Sequence, residues 1–188
     1  MVIPDNQEQQ LVKRLQDGDK AAARDFYSLY ADKLAGICSR YIDDKEDLKD
    51  VFQDAFIHIL THIGDFDYRG AGSLQAWAAR IMVNQSLKFL RSRQHQEFVK
   101  LDFDVTDVPE EDDPPVSDVP PDVIGQMLNR LPVGYRTVLN LYVFEGKSHK
   151  EIAGMLGIKA DSSASQLHRA KNMLAKMIRE YNSKKPRQ

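Results

Sequence analysis

Cysteine is almost missing from this chain: Cys38 stands alone among 188 residues. A lone cysteine excludes an internal disulfide framework and fits a reducing compartment. It lies among Leu34, Ile37 and Tyr41, where a small buried hydrophobe fits better than a nucleophile. Apolar runs are short. None approaches membrane-spanning length, and residues 1–11 lack a signal-peptide core, so no membrane insertion is expected. No segment alternates polar and apolar residues as a strand does, no internal repeat occurs, and no phosphate-binding glycine loop is present. His58 and His62 have the four-residue spacing of a two-histidine metal site. No third ligand or general base accompanies them, so neither a metal nor another cofactor is expected. Acids are plentiful but gather in one segment and on helix faces, unlike a convergent catalytic pair. These absences describe a soluble, cytoplasmic, all-α chain that is not an enzyme, with room for one or two small domains.

What is present is an uneven distribution of charge. The net charge of −2 hides four blocks. Residues 123–188 carry twelve Lys/Arg against four Asp/Glu, and residues 69–101 carry six against one. Between them, residues 102–122 hold nine acids, no base and five of the eight prolines. Residues 1–68 have fourteen acids and eight bases. Basic blocks attract phosphate backbones through counterion release. The acidic, proline-rich segment cannot bury enough apolar surface to offset its ordering entropy, so it reads as an extended linker. Two small helical domains follow, at residues 1–101 and 123–188, joined by the linker at 102–122.

Helical spacing predicts a short helix over residues 7–16. A second covers 21–41, with Phe26, Leu29, Tyr30, Leu34, Ile37 and Tyr41 facing inward. Asp43, with Glu46 as its box partner, is the expected cap of a third helix that runs to Ile63. Residues 64–72 form a loop with three glycines. Ser73 is expected to cap a long helix to about Arg93, with Leu74, Trp77, Ala78, Ile81 and Leu87 or Lys88 along its seam. The C-terminal domain divides into helices at about 123–130, 133–145, 148–156 and 162–181.

The last two of these carry the sharpest local signal. Ser148 and Glu151 make a capping box, Ile152, Met155 and Leu156 an apolar face, and Gly157 a left-handed helix stop. Asp161 or Ser162 can cap the next helix. This is the pattern of a helix-turn-helix, whose second helix can lie in a DNA major groove. Ala164, Leu167, Ala170, Leu174 and Met177 repeat as an inward face. Ser162, Ser165, Gln166, His168, Arg169 and Asn172 are thereby left outward, with chemistry suited to base edges. A helical hairpin with a polar surface gives the same pattern.

The residues of the N-terminal part add a resemblance. The stretch from Asp50 to Ile59 resembles the second conserved region of extracytoplasmic-function (ECF) bacterial sigma factors. Trp77 to Asn84, with Phe89 to Arg93, looks like their promoter-melting helix. Leu131 to Lys171 is similar to their C-terminal domain. The resemblance implies a factor that binds core RNA polymerase and directs promoter recognition, melting and initiation. A stand-alone helix-turn-helix regulator is the competing reading. The resemblance implies that Asp50, Gln53, Asp54 and Ile57 meet the clamp helices of the largest polymerase subunit, and that the C-terminal domain meets the flap of the second-largest. It assigns the −10 element to Phe66, Arg69, Trp77, Arg80, Asn84, Lys88 and Arg91. It also implies that Asn84 sits at the pocket for a flipped base, with residues 64–72 as its other wall. It assigns the −35 element to Ser162, Ser163, Ser165, Gln166, His168 and Arg169. It further implies an anti-sigma partner, and a linker that threads the polymerase channels, although a plain tether fits its composition equally. Many relatives carry a basic residue in place of Ala164 and an arginine in place of Gln166.

Overall fold

Amphipathic segments separated by caps and glycines become eight α-helices and one 3₁₀ turn among the described residues, with no strand. The computed structural model describes the backbone of residues 4–100 and 119–184, and side chains over the same ranges except 94–100. The helices are α1 (Asp5–Gln16), α2 (Lys20–Ser39), α3 (Lys45–Thr61), α4 (Ser73–Lys100), α5 (Pro121–Asn129), α6 (Val133–Val143), α7 (His149–Leu156) and α8 (Ala160–Lys184). The protein is therefore all-α. Most of the acidic linker expected at 102–122 lies outside the described residues. The chain divides into two compact units, Met1–Leu90 and Arg91–Gln188.

In the first unit α1 to α4 bury Phe26, Leu34, Tyr41, Ala55, Ile59, Leu74, Ala78 and Met82 completely. Leu29, placed inward by its spacing, is 43% exposed, because the apolar face of α2 is narrower than its sequence stripe. Cys38 is fully buried beside the Ser86 hydroxyl at 3.7 Å, and burial pushes its thiol up. Asp19 caps α2 by accepting from Ala21 N at 2.8 Å. That backbone bond, then Arg14 at 2.8 Å, holds its carboxyl below the usual carboxylate range. The cap of α3 is Asp44, which accepts from Glu46 N and Asp47 N at 3.0 Å, and not Asp43. Burial of Tyr41 and Ile42 sets the turn one residue later than the sequence pattern suggests.

In the second unit the Pro132 turn starts α6, whose residues from Gly134 to Leu141 are all buried. Even Arg136 is only 1% exposed, and it donates to the Asn129 carbonyl at 3.1 Å. The capping box of α7 is complete: Ser148 N donates to Glu151 Oε2 at 2.9 Å, and Glu151 N donates to Ser148 Oγ at 3.3 Å. Gly157 closes α7 at φ 71°, a left-handed conformation that disfavours a Cβ. The helix after it begins at Ala160, so Asp161 and Ser162 lie in its first turn and do not cap it. Asp161 there complements the positive end of the helix dipole. The N-terminal half of α8 packs on α6 and α7. Its C-terminal half meets α5 through Val119, Met127 and Ile178, with Ile124, Leu174 and Tyr181 around them.

Candidate nucleic-acid interface

The long helix α4 has two faces set by its period. Ala78, Met82, Ser86 and Leu90 point into the core. Trp77, Arg80, Asn84, Lys88 and Arg91 follow at three- and four-residue steps and so share the opposite face. The last four are exposed. Trp77 is half-buried, packed on Phe66 at 5.0 Å between ring centroids. Phe66 is 8% exposed and serves as the floor beneath Trp77, where a loop aromatic could have stood free. Arg69 is exposed and lies 3.5 Å from Asp67, a contact too solvated to hold it firmly. The stripe thus combines an aromatic at one end, an amide in the middle and three cations. That is the chemistry needed to stack a base, read its edge and hold strand phosphates.

The segment before α4 is fastened by α1. Gln16 Nε2 donates to the carbonyls of Ile63 at 3.1 Å and Phe66 at 2.9 Å. The Tyr68 hydroxyl donates to the Asp5 carboxylate at 2.6 Å. Glu8 is fully buried and accepts from Gly72 N, and from Leu74 N at 3.0 Å. Glu8, not Ser73, therefore caps α4. Ser73 is the first helical residue, and its hydroxyl accepts from Arg69 N at 3.2 Å. Burial and then the neighbouring Glu8 push the Tyr30 hydroxyl up to about 12. Composition gave no reason to single out Glu8. The available signal was its place on the stripe of Leu11, Val12 and Leu15, an acid at a core position.

On α3, Asp50, Gln53, Asp54 and Ile57 share one exposed face, and Ile57 is 60% exposed. Beside them Tyr27, Phe52 and Phe56 form an aromatic cluster, with Tyr27 and Phe56 rings 5.3 Å apart. These side chains, with Lys49, line an open groove of about 350 Å³. Helical spacing puts Phe52 and Phe56 on one stripe with the buried Ala55 and Ile59, yet both are only half-buried, at the edge of the core. Farther along, His58 and His62 stack at 3.9 Å. His62 Nδ1 lies 2.9 Å from the His58 carbonyl oxygen, which makes it a helix-end partner. No group of three metal-ligating side chains occurs among the described residues.

The helix-turn-helix has the expected capping box and glycine stop on α7 but a different start and a different face on α8. Ser163 and Gln166 are buried, at 0% and 1% exposure, while Ala164 is exposed. For Ser163 the reason is polar satisfaction: its Oγ pairs with His149 Nδ1 at 3.0 Å, tying the start of α7 to α8. His149 in turn stacks on Tyr142 at 4.9 Å. Arg169 is half-buried and donates to the Tyr135 hydroxyl at 3.3 Å. Ser162 is partly exposed. Ala164, Ser165, His168 and Lys171 are exposed, and Asn172 bonds His168 at 3.0 Å. Lys171, next in sequence to the buried Ala170, is on the outer face with His168.

Two family profiles match in chain order. Residues 26–96 match the one described as Sigma-70 region 2, and residues 122–174 match Sigma-70, region 4. The first spans most of α2 through α4, and the second α5 into α8. The chain is 30% identical to the RNA polymerase sigma factor NccH of Alcaligenes xylosoxydans, over 89% of this chain and 92% of that one. It is 29% identical to the RNA polymerase sigma-H factor of Pseudomonas aeruginosa, over 94% and 96%. It is also 29% identical to the ECF RNA polymerase sigma-E factor of Haemophilus influenzae, over 91% and 95%. A helix-turn-helix downstream of a cation-bearing helix, in a chain aligned nearly end to end with these relatives, makes it a member of the ECF RNA polymerase sigma factors, which direct RNA polymerase to promoters.

Proposed function

We propose that the exposed stripe of α4 opens and reads the −10 element, and that α3 and α8 supply the other two contacts. Five residues on one face carry this reading: Trp77, Arg80, Asn84, Lys88 and Arg91. Asn84 lies seven residues beyond Trp77, about 10.5 Å along the axis. An amide at that position can both donate and accept at the Watson–Crick edge of an extruded base. Arg69 and the residue 64–72 loop form the opposite wall, with Phe66 beneath. The acidic, partly apolar face of Asp50, Gln53, Asp54 and Ile57 meets a basic surface on the clamp helices of the largest polymerase subunit.

The C-terminal unit reads the −35 element with Ser162, Ser165 and His168 on the outer face of α8, helped by Lys171, and it meets the flap of the second-largest subunit. Ser163, Gln166 and Arg169 act from beneath, by fixing α8 against α6 and α7. The chain works in the cytoplasm, is held in check by an anti-sigma factor, and leaves covalent chemistry to the polymerase. The test is strand opening. Asn84→Ala should leave polymerase binding and duplex recruitment nearly intact but reduce permanganate reactivity at the −10 element. Equal reactivity in variant and parent would remove Asn84 from the pocket.

A further inference from the structure

We propose that α1 is a strap that sets the wall of the base pocket, with Glu8 as its principal positioning residue. The inference rests on the −10 reading above. Three independent contacts run from one helix to one segment. Gln16 holds its beginning at Ile63 and Phe66, Asp5 holds its middle at Tyr68, and Glu8 holds its end at Gly72 and Leu74. Gly70 and Gly72 both have positive φ, 107° and 86°, so the backbone here has many other conformations open to it. Something outside the segment must choose one. A buried carboxylate does so strongly, since it accepts two backbone N–H groups and sits at the positive end of the α4 dipole.

The loop conformation also places Phe66 under Trp77, and Trp77 begins the stripe that ends in the cations. Glu8 thus acts on the pocket through backbone it fixes and touches no DNA itself. Substitution by glutamine keeps the shape but leaves one acceptor oxygen where there were two. Either Gly72 N or Leu74 N then lacks a partner in a buried place, and the loop is released.

Trp77 is the chain's one tryptophan, so its emission reports the Phe66 contact directly. The experiment uses the full chain as parent, Glu8→Gln and Asn84→Ala. Emission and far-ultraviolet circular dichroism are recorded on the free chain. Holoenzyme of each then captures short single-stranded DNA from a randomised pool, and the bound fraction is sequenced. Glu8→Gln should shift Trp77 emission to longer wavelength at unchanged helicity. It should also weaken base preference by about three- to tenfold at the position where Asn84→Ala does, since an unfixed wall must be ordered on binding. Preference at other positions, and affinity for core polymerase, should stay at the parent level.

Unshifted emission overturns the strap. So does shifted emission with preference intact, because the loop then moves without consequence for the pocket. Uniform loss at every position overturns it too, as a merely structural effect. If Asn84→Ala alters no position, the pocket reading itself fails and the strap's role falls with it. Should Glu8→Gln not fold, Gln16→Ala replaces it, since Gln16 is exposed and its two bonds are only part-buried. The same outcomes then decide.

Discussion

Ala164 and Gln166 are two residues apart on α8, and exchanging what each position tolerates separates two registers of the helix. Ala164 is exposed and Gln166 is 1% exposed. Ala164→Arg therefore adds a cation to the outer face without entering the core, and thermal stability should change by no more than about 0.5 kcal/mol. If that arginine reaches one phosphate, the salt slope of −35 duplex binding steepens by about 0.9. Between 50 and 200 mM salt, a fourfold change, this is an extra loss of about 3.5-fold relative to the parent. Gln166→Ala removes a side chain that is 1% exposed from the packed face of α8 and should cost about 1–3 kcal/mol with little direct effect on the salt slope. The assay is fluorescence anisotropy of holoenzyme on a −35 duplex at both salts, with thermal melts of the free chain. The register is refuted if Ala164→Arg unfolds the C-terminal unit while Gln166→Ala is silent.

Replacing Asp50 and Asp54 by lysine should weaken holoenzyme formation by setting like charges against a basic surface, while circular dichroism stays unchanged; a pull-down at parent strength would remove this face. Ser148→Ala breaks the capping box and should cost about 1 kcal/mol, a fall of about 4–8 °C in the melting of a unit this size. The backbone N–H of Ser148 holds the Glu151 carboxyl below its ordinary 4.5, so the stabilisation is full above pH 4.5 and is lost as pH falls through the lower, folded value. The gap between parent and Glu151→Gln, which keeps a neutral acceptor but removes the titrating carboxylate, should therefore narrow in melts taken below pH 4.5, and a constant gap would contradict the assignment.

The parts of this fold that were legible in the sequence are those decided within one turn of chain. The box of Ser148 and Glu151, the stop at Gly157 and the break at Pro132 depend on neighbours three or four residues away. The cap of α4 was not legible, because its carboxylate arrives from Glu8, more than sixty residues earlier. The face of α8 was misread for a related reason. Ala164 looks like a core residue and Gln166 like a surface one, as long as burial is judged by hydrophobicity. Ser163 is buried because His149 satisfies it, and that pairing belongs to the tertiary fold. On α4 the period placed Leu74, Ala78 and Leu87 correctly in the core. Trp77, placed on the same seam, is instead half-buried at the end of the exposed stripe, because Phe66 from the preceding loop lies beneath it; the −10 role of the stripe came from the resemblance and not from the period.

Run-off transcription with purified core RNA polymerase on genomic promoter fragments tests the central claim most directly. Discrete transcripts should appear only when this chain is added. They should be lost with the Asp50→Lys, Asp54→Lys double variant and strongly reduced with Asn84→Ala. An unchanged transcript pattern with and without the chain, alongside unaided binding of the free chain to a palindromic duplex, would contradict it.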